Sequence, residues 1–159
     1  MKSLQGINYF RTSKELNTTL PTSAGGSPYL YKVVYSIKLP PLVKKGSILQ
    51  IKAVAECTNP NGTITYGTVC YLCLGVSATD TTDPRPNLIS GKWGKDFVSV
   101  SGNNHLEFQQ NVDYQATDDI INGYINFVMA GYSSASNGTQ IIIVETPDYG
   151  QMTLILLEE

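Results

Sequence analysis

Residues 47–77 read SILQIKAVAECTNPNGTITYGTVCYLCLGVS. Over 47–57 the apolar residues Leu49, Ile51, Ala53 and Ala55 alternate with Gln50, Lys52 and Glu56, the period of two that a half-buried strand requires. The sequence Asn59-Pro60-Asn61-Gly62 follows. Asn-Gly tolerates the positive φ of a tight reversal, so the spacing predicts a hairpin turn here. The next run, TITYGTVCYLCLGVS, contains no charged residue, and a strand without charge is expected to be covered on both faces. One strand wet on a single face and another dry on both point to stacked layers of sheet rather than to one open sheet.

The same punctuation continues in both directions. Upstream, YLYKVVYSIK (29–38) places Tyr29, Tyr31, Val33, Tyr35 and Ile37 on one face and Lys32, Ser36 and Lys38 on the other. LPPLVKKGS (39–47) breaks the strand, because Pro40-Pro41 supplies no ladder donors and Gly46 permits a turn. Residues 1–28 have no sustained period and read as an N-terminal arm or loop, which leaves the folded sandwich to 29–159. Downstream, ATDTTDPRPN (78–87) is a loop by composition, and LIS (88–90) and DFVSVS (96–101) read as short strands flanking a GKWGK turn. NNHLEFQQNVDYQ, the TDD turn, INGYINFVMAGYS, the SASNG turn, TQIIIVET, the PDYG turn and QMTLILLEE complete the chain. That is about eight strands with no amphipathic helix, which predicts an all-β fold: an antiparallel β-sandwich, jelly-roll-like. An immunoglobulin-like sandwich fits less well, because Trp93 falls in an expected turn and the cysteines lack that family's spacing.

Composition narrows the function classes. Of 159 residues, 42% are hydrophobic and only 15% are charged, against roughly 25% charged in ordinary soluble domains. The surface is therefore expected to be built from Ser, Thr, Asn, Gln and Tyr, which loses little when surfaces meet because few charges need desolvating. A net charge of -2 and a pI near 5.3 give no basic field for nucleic acid. No apolar run approaches the roughly 18 residues of a membrane-spanning helix, so no membrane is expected as partner. Cys57, Cys70 and Cys73 cannot all pair within one chain, and MKSLQGINYF lacks the long apolar run of a secretory leader. Synthesis in a reducing cytoplasm is the expectation.

Catalytic parts are hard to assemble. His105, the single histidine, stands two residues before Glu107, and the two share a strand face about 6.6 Å apart. Cupins, also jelly rolls, bind metal through His-x-His with a further Glu and His; here one histidine must serve, a poor set for zinc, iron or copper. A solvated strand face is the expectation, with a cupin-like metal enzyme the weaker alternative. Cys70-x-x-Cys73 puts its thiols on opposite faces of a strand, so both are expected as small buried hydrophobes. No Ser-His-acid triad or nucleophile elbow is present. Glu56, Glu107, Asp113, Asp118, Asp119 and Asp148 include no pair that sequence singles out for sugar hydrolysis. No enzyme activity, cofactor or metal is expected. Ten tyrosines accompany four phenylalanines and one tryptophan. Tyr packs a ring yet keeps a hydroxyl for a partner, which suits subunit interfaces and sugar platforms. Trp93, Tyr132 and Tyr149, in or beside expected turns, are the candidate contact residues for a protein partner or a carbohydrate.

LPPLVKKGSILQIKAVAEC (39–57) and the ending YINFVMAGYSSASNGTQIIIVETPDYGQMTLILLEE (124–159) resemble elements of the small jelly-roll β-sandwich virion proteins of tailed bacteriophages. Those include capsid decoration, or cement, proteins and the head domains of fibres, often trimeric. The resemblance implies a non-enzymatic virion structural protein. It would form a homotrimer at the virion surface, bridging neighbours in the major capsid protein shell. A receptor- or carbohydrate-binding fibre head is the alternative. The resemblance carries over no functional residue.

Overall fold

A computed structural model describes residues 6–12, 18–20, 22–24, 31–58, 66–79, 87–97, 105–133, 141–144 and 151–158. In chain order their strands are β1 (Gly6–Thr12), β2 (Thr18–Leu20), β3 (Thr22–Ala24), β4 (Tyr31–Lys38), β5 (Leu42–Val43), β6 (Ile48–Thr58) and β7 (Tyr66–Gly75). There follow β8 (Leu88–Phe97), β9 (His105–Gln115), β10 (Ile120–Ile121), β11 (Tyr124–Ser133), β12 (Ile141–Val144) and β13 (Gln151–Glu158). Among the described residues no helix is long and apolar enough to cross a membrane.

Two sheets are each organised around one long strand. In the first, β9 runs antiparallel along the whole of one edge of β6. β13 and β12 divide the other edge between them. β1 lies outside β13, and β2 outside β12. In the second, β7 covers one edge of β11, antiparallel β4 and parallel β3 divide the other, and β8 lies outside β7. β5 and β10 form a separate two-stranded ladder. Numbering only the eight strands of seven or more residues in chain order, the sheets run 1-8-3-6 and 2-7-4-5. Every connection but the one from β7 to β8 crosses between sheets, which is jelly-roll winding.

Side-chain periodicity explains why the sheets stack. Leu49, Ile51, Ala53 and Ala55 of β6 are buried beside Met152, Leu154 and Leu156 of β13, with Ile51 opposite Leu154 and Ala53 opposite Met152. Lys52, between them in sequence, is exposed. The first sheet thus has one dry face. The middle of the second is dry on both: Cys70, Tyr71, Leu72 and Cys73 of β7 are consecutive and buried, as are residues 125–130 of β11. Leu72, Ile125, Phe127 and Met129 join the central core, while Tyr71 and Ala130 form a separate cluster with Tyr31. Cys70 and Cys73 are both buried. Cys70 belongs to the central core, whereas the Cys73 thiol donates to the Asn126 carbonyl at 3.7 Å.

Four sequence expectations need correction. The expected turn at Asn61-Gly62 lies outside the described residues, and the strands on either side of it do not pair as a hairpin: β6 and β7 lie in different sheets. A turn residue sets only local reversal; here the connection passes between layers, so that the apolar faces meet. The tyrosine stripe of β4 does not stay on one face. Phe127 pairs with Tyr35 but Val128 pairs with Val33, so Val34 is an extra residue and side-chain parity flips there. Tyr35 consequently enters the core and stacks on Phe127 with centroids 6.2 Å apart, while Tyr31 meets Tyr71 edge-on across the other face. Residues 1–28, expected to be an arm or loop, contribute three strands to the sheets. Phe10 of β1 packs against the core opposite Leu154. Finally, 121–133 is not one strand: Asn122, at φ 49°, separates β10 from β11.

Candidate functional site

The sequence candidates fall on different strands or outside the described residues. Trp93 lies within β8 rather than in a turn. Thr68 pairs with Lys95 and Cys70 with Lys92, so Trp93 and Gly94 together oppose Val69 in a bulge. Glycines inside a strand mark such bulges, and GKWGK carried that signal. Tyr132 is in β11, opposite Gly67 of β7 and Ser23 of β3. Tyr149 lies outside the described residues. His105 begins β9 opposite Thr58, and Glu107 stands opposite Glu56. Among the described residues no group of three or more His, Cys, Asp or Glu could hold a metal ion.

Between the sheets the main polar feature is structural. Gln110 of β9 is buried; its side-chain amide donates to the Cys70 carbonyl at 3.4 Å and sulfur at 3.2 Å, and its Oε1 accepts from Ser90 Oγ at 2.9 Å. β9 of one sheet is thereby tied to β7 and β8 of the other. A buried amide with these partners spans the sandwich without an orphaned group.

A distinct surface feature occupies the end of the sandwich where residues 39–47 and 116–123 meet. Backbone bonds zip the two loops together. Leu39 N–H donates to Gly123 O, Gly46 N–H to Ala116 O, Ala116 N–H to Ser47 O and Asn122 N–H to Pro41 O, at 2.9–3.0 Å. Gly46, at φ 94°, allows the reversal that brings Lys44 and Lys45 beside residues 116–123. The Lys45 N–H donates to Asp119 Oδ1 at 2.8 Å. Beside this lattice opens a groove of about 460 Å³ between the end of β7, Asn87 and residues 117–123. Tyr114, Thr117, Asp118, Asp119 and Asn122 supply polar groups, and Leu74, Val76, Ile120 and Ile121 supply apolar ones. It has the volume of a ligand cleft but no nucleophile paired with a base. What it offers is mixed contact surface. The Asn122-Gly123 dipeptide was the sequence signal for it, since it marks the chain turning out of β10 just where the groove opens.

No family model and no curated protein matches the chain. Solved structures do match it in shape. It is similar to a chain in the structure of infectious bursal disease virus Gt strain, at 11% identity and a TM-score of 0.52, covering 100% of this chain and 39% of that one. A viral particle of infectious bursal disease virus gives 10% identity and 0.51, covering 99% and 36%. Particles derived from infectious bursal virus give 10% and 0.50, covering 99% and 37%. This chain therefore spans less than two fifths of each neighbour's length. At such identity the likeness is one of fold, and with the strand order it shows an antiparallel β-sandwich with jelly-roll winding.

Proposed function

We propose that this chain is a non-enzymatic structural protein of a virion, a decoration or cement protein on the particle surface that bridges neighbouring capsid subunits. The observation that carries this reading is the jelly-roll winding, together with its likeness along the full chain to chains from virus particles. The low charge content supports it, since neutral polar surface is cheap to desolvate against a shell. The work is mechanical. Each copy spreads modest contacts over adjacent subunits, and linking them raises effective concentration so that weak contacts add to firm attachment. A homotrimer provides that multivalency, as in the phage decoration proteins that the sequence resembles, with Trp93, Tyr132 and Tyr149 as candidate partner contacts.

The test is direct. Particles purified by density gradient from the source of this sequence are expected to contain the chain at a fixed ratio to the main shell protein, measured by quantitative mass spectrometry. Purified chain is also expected to pellet with particles from which it has been stripped. Absence from the particles, together with no pelleting, contradicts the proposal.

A further inference from the structure

Among the described residues, the exposed large apolar side chains are Leu42, Val76, Leu88 and Ile121, with Ile121 70% and Val76 83% accessible. They are not scattered. Val76 and Ile121 line the groove at the end described above, Leu42 is the ladder partner of Ile121, and Leu88 follows the groove residue Asn87. Isolated exposed apolar residues are ordinary, but several ringed about one open groove mark a contact surface.

The charges beside the groove narrow the choice of partner. Lys44 and Lys45 are exposed on one loop and Asp118 and Asp119 on the next, and the bond from Lys45 N–H to Asp119 holds the two loops side by side. Both signs therefore stand on one rim. A nucleic acid or an anionic membrane would press Asp118 and Asp119 against like charge. A second copy of this chain meets neither penalty. It carries both signs itself, so a two-fold arrangement that brings the two grooves together and sets the lysine loop of one copy against the aspartate loop of the other is matched in charge. The rigid backbone lattice of residues 39–47 and 116–123 presents this surface without ordering a loop on association, which removes one of the usual costs.

We propose that this end of the sandwich is a two-fold self-association surface, apolar at its centre and cross-paired between lysines and aspartates at its rim. The proposal goes beyond the virion reading: a two-fold contact here joins copies, or trimers of copies, to each other whatever the shell partner is.

Sedimentation velocity of the full chain over a wide concentration range tests it. The wild type is expected to reach at least twice the mass of Val76→Asp/Ile121→Asp at the same concentration. Both positions are so exposed that the variant's circular dichroism and melting should match the wild type; should the double variant misfold, Val76→Asp alone serves. Lys44→Glu and Asp118→Lys are each expected to weaken association about tenfold, and an equimolar mixture to recover it through the new cross-pairs. Equal masses for the wild type and folded Val76→Asp overturn the proposal, as does a mixture no heavier than its components. If the wild type stays at the variant's mass yet only the wild type pellets with stripped particles, the surface faces the shell, and the second-copy assignment fails while the virion reading stands.

Discussion

Phe127→Ala is expected to lower the unfolding free energy by about 3–5 kcal/mol, the usual cost of emptying a buried aromatic site. Phe127 is fully buried at the centre of the second sheet and stacks on Tyr35. Its strand is hemmed by β7 on one side and β4 on the other, so the backbone has little freedom to close the cavity. A loss of that size is a large part of the roughly 5–15 kcal/mol that holds a domain folded. Urea unfolding at 25 °C measures it, with an unchanged slope expected. A loss below about 1 kcal/mol would mean that Phe127 is not at the core.

Asn126→Ala is expected to cost about 2–3 kcal/mol, by a different mechanism. Asn126 is fully buried on the opposite face of the same strand. Its Oδ1 accepts from Ser36 Oγ at 2.6 Å, and its Nδ2 donates to the Ser77 carbonyl at 2.9 Å. Removing the amide leaves both partners without their bond, and desolvated groups left so cost more than the bond itself contributed. Gly75 makes this arrangement possible. A Cβ there would stand 2.2 Å from Asn126 Nδ2, so Gly75→Ala must displace the amide and is expected to cost about 1–3 kcal/mol. Because Asn126→Ala vacates that space, the double variant is expected to lose clearly less than the two single losses together. Additive losses in the same urea titrations would show that the amide does not lie over Gly75.

Much of this architecture was legible because β6 and β13 keep an unbroken period of two, and because the absence of charge in β7 announced burial on both faces. What sequence hid has two physical sources. Parity arguments assume that no residue is inserted into the ladder; Val34 in β4 and the Trp93-Gly94 bulge in β8 each break that assumption, and one extra residue sends every later side chain to the other face. Pairing, moreover, is a tertiary choice. GINYFRT has too weak a pattern to declare itself a strand, and becomes one because β13 offers it a full ladder. The contact surface at the loop end was hidden likewise: Leu42, Val76 and Ile121 were read as parts of strands or their breaks, and only the folded loops show them exposed around one groove.

The claim on which the account rests is that β6 and β7, consecutive in the chain, belong to opposite sheets. Backbone nuclear Overhauser contacts in a labelled sample decide it. Ile51 is expected to give cross-strand contacts to Val112 on one side and Leu154 on the other, and β7 is expected to give them to β8 and β11. A continuous ladder of contacts between β6 and β7 would contradict the jelly roll, and with it the virion reading.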